Sequence, residues 1–166
     1  RGQESLSSTN RVSLLARKLT SLHAEITTKM DFAPELYQHS AGLALYYDNM
    51  NYVWLRKTWS EEQGCPVLSV QEVDRGVKND RRDCETPAPE GPIWLRLQIE
   101  GKRFVFSWSS DGENWRPIGP DFATWHLSDE HSGYGEFTGT MFGLGCVDAM
   151  LRRQTADFDF LDFEAL

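Results

Sequence analysis

Apolar residues in this chain recur with a period of two, the repeat of a strand that buries one face. Residues 22 to 32 show it most cleanly. Leu22, Ala24, Ile26, Thr28, Met30 and Phe32 fall on one side, and His23, Glu25, Thr27, Lys29 and Asp31 on the other. Alternation resumes at Leu43, Leu45 and Tyr47 and breaks at Asp48-Asn49-Met50-Asn51. Asp and Asn favour turns because their side chains bond their own backbone. From Tyr52 to Trp59 the pattern returns, with Val53 and Leu55 opposed to Tyr52, Trp54 and Arg56. A turn around Gly64 and Pro66 precedes a short β-branched strand at 67–73. Residues 74–92 are charged and rich in glycine and proline, which predicts a long surface loop with an edge strand.

The second half repeats the theme. Ile93, Leu95, Leu97 and Ile99 alternate with Trp94, Arg96 and Gln98, and Phe104 to Trp108 returns after a turn at Gly101-Lys102. Asp111-Gly112 marks a further turn before a short strand from Trp115 to Ile118. Residues 119–136 read as loop with at most one helical turn, near Ala123 to Leu127. Met141 to Val147 is a strand whose Gly143 and Gly145 invite close approach by another backbone or a ligand. The last strand, about Thr155 to Glu164, slips phase at Phe160-Leu161, the mark of a bulge. Many short strands and no amphipathic helix of ten residues predict an all-β protein of two antiparallel sheets, a sandwich, or a barrel.

Composition narrows the picture. The 166 residues fit one domain spanning 1–166, and a net charge of −8 repels phosphates and anionic lipid. Neither nucleic acid nor a membrane is therefore an expected partner. No apolar run is long enough for a spanning helix. The chain begins at Arg1, without Met, and reads as a piece of a longer protein. Cys65, Cys84 and Cys146 cannot close a disulfide framework; Cys65 could pair with Cys84 across a loop, or all three could be free thiols. The six tryptophans are about twice ordinary usage.

No nucleophile elbow, zinc-protease motif or phosphate loop is present. His126, Asp129, Glu130 and His131 are of metal-binding type, but a solvated polar loop is the simpler account. Asp157 and Asp159 lie in an acidic last strand and are candidates for a structural calcium; the alternative is edge charge that blocks sheet pairing. No cofactor is required by any motif. The outward aromatics are more informative. With Val53, Leu55, Leu95, Leu97, Phe104 and Phe106 in the core, Tyr52, Trp54, Arg56, Trp94, Arg96 and Gln98 face away from it. Sugar rings stack their C–H faces on such aromatics, while Arg and Gln bond the hydroxyls. Burial of these rings under the 74–92 loop or a neighbouring domain is the competing account.

Five stretches together resemble one family. They are Arg1 to Ser8 (RGQESLSS), Ala41 to Tyr52 (AGLALYYDNMNY), Phe106 to Gly119 (FSWSSDGENWRPIG), Phe137 to Gly143 (FTGTMFG) and Ala156 to Phe160 (ADFDF). The family is the C-terminal β-sandwich of glycoside hydrolase family 43 β-xylosidases, also classed as carbohydrate-binding module family 91. The resemblance implies a concanavalin A-like jelly roll. It implies a parent enzyme whose catalytic carboxylates sit on an N-terminal five-bladed propeller, so the chain alone should not hydrolyse xylosides. It implies xylan or xylo-oligosaccharides and the propeller as partners. It places Phe137 on a loop that reaches the propeller's active site. The charged 74–92 segment with Cys84 departs from the family pattern, and the family does not settle localisation.

Two functions follow as expectations. One is a non-catalytic xylan-binding module that stacks sugar on Tyr52, Trp54 and Trp94 and bonds hydroxyls through Arg56, Arg96 and Gln98. The other is a buttress that packs on the propeller and completes its pocket, without sugar affinity of its own. A free-standing glycosidase is disfavoured, because the outward positions of the central strands offer no acid pair.

Overall fold

The computed structural model describes residues 1–133 and 138–166. Its strands are β1 (Ser13–Lys18), β2 (His23–Asp31), β3 (His39–Asp48), β4 (Asn51–Ser60), β5 (Cys65–Asp74) and β6 (Val77–Asp80). They continue as β7 (Thr86–Pro87), β8 (Ile93–Glu100), β9 (Arg103–Ser109), β10 (Arg116–Ala123), β11 (Met141–Asp148) and β12 (Asp157–Ala165). Short 3-10 turns lie at Arg82–Cys84 and Thr124–Leu127, and a four-residue helix, α1 (Asp129–Ser132), follows the second. One sheet runs β1-β11-β3-β4-β5-β6, with β7 on β5, and the other runs β10-β9-β8-β2-β12. Every strand pairing is antiparallel.

The alternation explains the stacking. Leu43, Leu45, Val53 and Leu55 of one sheet meet Ile26, Leu95, Leu97, Phe104 and Phe106 of the other in one buried cluster. Aromatic pairs tighten it: across strands, Phe104 stacks on Phe122 with centroids 5.2 Å apart, and between the sheets Phe142 stacks on Phe163 at the same distance. The sandwich branch of the all-β expectation is therefore the one realised.

The seven-stranded sheet is buried on both faces over part of its area. A second cluster of Leu6, Ala44, Tyr52, Trp54, Val73 and Val147 lies on its outer side. The first dozen residues make that cover. Gln3 and Glu4 form isolated parallel bridges to Val147 and Val12, and Leu6 is fully buried. Gly145 supplies the room: a Cβ there would lie 3.2 Å from Leu6 and 3.3 Å from the Trp54 indole. Gly143 lies closer still to a neighbouring backbone, its would-be Cβ 2.5 Å from the Leu15 carbonyl. Gly143 thus meets the close backbone neighbour that the pattern anticipated, whereas Gly145 makes room for side chains instead.

Several elements differ from the sequence expectation. β1 was not foreseen, because an edge strand with Leu14 and Leu15 adjacent shows no clean alternation. The 74–92 segment contains two short strands, β6 and β7, and is tied down by buried Lys57, whose Nζ donates to the carbonyls of Pro89 (3.1 Å) and Gly91 (3.3 Å). The bulge in β12 falls between Phe158 and Phe160, slightly earlier than the slip in the pattern. Cys65, Cys84 and Cys146 are free thiols, so the Cys65–Cys84 pairing is not made. Cys65 stands opposite Ser60 at the start of β5, whereas Cys84 donates to Arg81 O beyond β6.

Asp148 knots the C-terminal end of β11. Its carboxylate accepts N–H groups from Met150, Leu151, Arg153 and Gln154 at 2.7–3.1 Å. Burial alone would push its pKa up, but the four donors together hold it well below the ordinary carboxylate range. The fold therefore favours the charged form. That stability is present above the ordinary Asp value of about 3.9 and is lost as pH falls through the depressed folded value. Asp148→Asn is expected to cost about 2 kcal/mol at pH 7. The gap to wild type should close in strong acid, as urea unfolding across pH would show.

Gly42 has a different role. A Cβ there would sit 2.0 Å from the Leu55 carbonyl oxygen and 2.8 Å from Arg56 Cα, both backbone atoms that cannot yield. Gly42→Ala is expected to cost about 3 kcal/mol by overpacking. Thermal denaturation should register this as a fall of roughly 6–12 °C.

Candidate functional site

All six residues singled out for sugar binding point away from the inter-sheet core, but they do not share a surface. Tyr52, Trp54 and Arg56 lie on β4, on the outer face of the seven-stranded sheet. Trp94, Arg96 and Gln98 lie on β8, on the outer face of the five-stranded sheet. The single groove expected from them is thus replaced by two, on opposite sides of the sandwich. Alternation fixes which side of its own sheet a residue takes; it carries no information on which sheet the strand joins.

Tyr52 is corrected furthest. It is fully buried, stacked on Tyr46 with centroids 5.6 Å apart, and covered by the Leu6 segment. Its hydroxyl bonds Ser7 at 2.9 Å and donates to Gln71 Oε1 at 3.2 Å. Burial pushes the phenol pKa up, and the hydrogen bond to Ser7 only partly opposes this. Tyr52 is scaffold, not a stacking platform.

Trp54 is 2% exposed, yet it lines an open groove of about 450 Å³. Ala44, Trp54, Gln71 and Asp80 form one cross-strand row there, and Ser40 and Thr58 stand opposite each other nearby. Arg56 NH2 donates to Asp80 Oδ1 at 2.6 Å, and Gln71 Nε2 donates to the same oxygen at 2.8 Å. Burial lowers the pKa of the Arg56 guanidinium, opposed by Asp80; arginine stays charged nonetheless. Trp54 Nε1 and Arg56 Nε are buried without a partner among the described residues. At the rim, Tyr37 is 58% exposed, and Trp59, Lys78 and Glu85 are among the other lining residues. Tyr37 and Trp59 escaped sequence reasoning because one is in a loop and the other is in phase with the core.

On the opposite face a groove of about 370 Å³ is lined by Trp94, Trp115, Phe160, Glu25, Asp162 and Glu164, among others. Arg96 lies over the Trp115 ring at 4.1 Å, donates to Ser107 Oγ at 3.0 Å, and comes within 3.7 Å of Glu25. Gln98 Nε2 donates to Glu25 Oε2 at 3.0 Å. Lys29 lies over Trp94 at 5.2 Å and pairs with Asp159 at 2.7 Å.

Three of the metal candidates, Asp159, His131 and Asp129, are paired within the protein. Asp159 belongs to Lys29, and Asp157 stands opposite Asp31. His131 Nε2 is 2.5 Å from Asp74 Oδ1, and Asp129 accepts the Tyr47 hydroxyl. Among the described residues no group of three or more His, Cys, Asp or Glu could hold a metal ion. These ties anchor α1 at one end of the sandwich. A pocket of about 310 Å³ opens there, lined by Leu19, Leu22, Leu45, Tyr47, Trp125 and Leu127 among others, with Leu22 (56%) and Trp125 (59%) exposed. Phe137 lies outside the described residues.

Residues 1–164 match the family described as the β-xylosidase C-terminal concanavalin A-like domain. The chain belongs to this family. A β-xylosidase of Bacillus subtilis (strain 168) is 32% identical over 166 residues, which are 98% of this chain and 31% of that protein. The crystal structure of xylan β-1,4-xylosidase from Bacillus halodurans C-125 superposes with a TM-score of 0.93 at 34% identity, covering 99% of this chain and 32% of that one. The GH43 BlXynB protein of Bacillus licheniformis gives 0.90 at 26% identity, with 99% and 32% covered. The chain thus spans about 31% of the curated relatives it matches. It corresponds to the C-terminal, non-catalytic module of such enzymes and not to the catalytic propeller.

The buried position of Tyr52 has a measurable consequence. Tyr52→Phe is expected to cost about 1–2 kcal/mol, because Gln71 and Ser7 lose a buried partner. Any effect on a ligand in the groove should come only through Gln71, whose Oε1 loses its donor. An alkaline absorbance titration should show two tyrosines in the wild type, Tyr47 and Tyr52, ionising only as the protein unfolds, because burial pushes both phenols up, and Tyr52→Phe should leave one.

Proposed function

We propose that this module binds xylan or xylo-oligosaccharides, seating the sugar chain in the groove over Trp54 and Arg56. The observation that supports this most is the polar row laid across adjacent strands. Trp54, Gln71 and Asp80 stand side by side, with Arg56, Ser40 and Thr58 alongside, and together they line an open groove whose floor is largely buried. Hydroxyl-rich ligands need such alternating donors and acceptors, and the exposed Tyr37 ring at the rim offers a stacking face. Burial of polar groups without full pairing costs free energy, which a ligand that pairs them recovers. Affinity in the micromolar to millimolar range is expected, on the order of −4 to −8 kcal/mol.

A second role is favoured by a separate observation. Leu22 and Trp125 are large, exposed and adjacent to the apolar end pocket. Such a patch suits docking on the catalytic propeller of the parent chain. The two roles use different surfaces and are compatible.

Depletion of the purified chain by insoluble xylan, with cellulose as control, tests the first role. The wild type should leave solution with xylan. Tyr37→Ala removes the rim ring, and Trp54→Phe removes the indole N–H and part of the ring that packs on Leu6; each should weaken binding about threefold to tenfold. Wild type that stays in solution with both polymers would sink the sugar reading and leave docking as the module's role.

A further inference from the structure

We infer that the groove on the five-stranded sheet is a second, independent sugar site, which makes the module bivalent. Register builds this face in rows. Phe160, Lys29 and Trp94 stand side by side across β12, β2 and β8. The next row is Asp162, Thr27, Arg96 and Ser107, and the third is Glu164, Glu25 and Gln98. The first row therefore sets two aromatic rings about 10 Å apart, two strand spacings, on either side of Lys29. The next two rows place carboxylates and amides directly beside them. Rings flanked by acceptors are what a neutral, hydroxyl-bearing chain requires: C–H faces on the rings, hydroxyls donating to carboxylates.

The state of each charge points to a neutral ligand. Lys29 is neutralised by Asp159, and Arg96 is held by Ser107 and Glu25. Both cations lie over tryptophan rings, Lys29 over Trp94 and Arg96 over Trp115, so those aromatic faces do not await a ligand cation. Asp162 and Glu164 line the groove, and their side chains have no hydrogen bond or ion pair among the described residues. They are the free acceptors. The sheet-on-sheet thickness of the sandwich separates this groove from the one over Trp54, so one straight chain cannot lie in both. Two chains would be held on opposite sides.

The sugar class rests on the function proposed above; the separateness of the grooves does not. Titration calorimetry of the chain with xylohexaose tests the inference. Asp162→Asn/Glu164→Gln is nearly isosteric at exposed positions and spares the fold, which near-ultraviolet circular dichroism would verify. Wild type should bind two equivalents. The double variant should bind one, with the lost site weakened at least tenfold, and Trp54→Phe should weaken only the other. Mixing wild type with soluble arabinoxylan should produce cross-linked turbidity that the double variant abolishes. One equivalent in the wild type, indifferent to Asp162→Asn/Glu164→Gln, would overturn bivalency while leaving the first groove standing. One equivalent lost in the double variant but kept in Trp54→Phe would overturn both bivalency and the first groove. No heat with either protein would overturn both proposals together.

Discussion

Leu6 fills a depression on the outer face of the seven-stranded sheet, against Gly145 and the Trp54 indole. Burying that side chain contributes about 2 kcal/mol. Its larger consequence is geometric. By covering Tyr52 and one edge of Trp54, the N-terminal segment divides this face into a sealed half and an open half. The row of Trp54, Gln71 and Asp80 marks the boundary. A polar network at such a boundary is partly desolvated, so each hydrogen bond in it is stronger than on an open surface, and each unpaired group is more costly. The Ser7–Tyr52–Gln71–Asp80–Arg56 chain runs from the sealed half into the open one. The covering segment and the groove floor are therefore one mechanical unit.

Much of the fold was legible because alternation is a direct print of burial. Ile26, Leu55, Leu97 and Phe106 all take the core side that their phase assigns, and the polar residues between them face out. Sheet membership was not legible. β2 pairs with β8 and β12 rather than with β3, and β3 pairs with β11 rather than β2. Nothing local in either strand encodes those long-range partners. Trp54 and Trp94, alike in pattern, therefore lie on opposite sides of the molecule. Tyr52 was misread for another reason. Its outward phase is correct, but the cover comes from Leu6, one apolar residue in a polar stretch that has no periodicity to betray it. The groove partners Trp115 and Phe160 escaped notice because one precedes its strand and the other follows a bulge that changes its phase.

Three tryptophans of the two grooves, Trp54, Trp94 and Trp115, share a construction that spacing alone could not show. Arg56 lies 5.9 Å from the Trp54 ring centroid and is held by Asp80. Lys29 lies over Trp94 and is held by Asp159; Arg96 lies over Trp115 and approaches Glu25. Each ring carries a cation, and each cation answers to a carboxylate. Exposed pairs such as Lys29–Asp159 add little stability singly. What they do is restrict rotamers. A ring already fixed in place loses less entropy when a ligand stacks on it, and that loss is a main cost of weak binding. The same arrangement explains how an acidic chain keeps aromatic rings at its surface. The cations are spent inside the triads, and the excess of acid on β12 is left facing solvent, where Asp162 and Glu164 remain free to accept. Rigid rings beside unengaged acceptors favour ligands that offer flat C–H faces and many donors, and they repel ligands that bring their own negative charge.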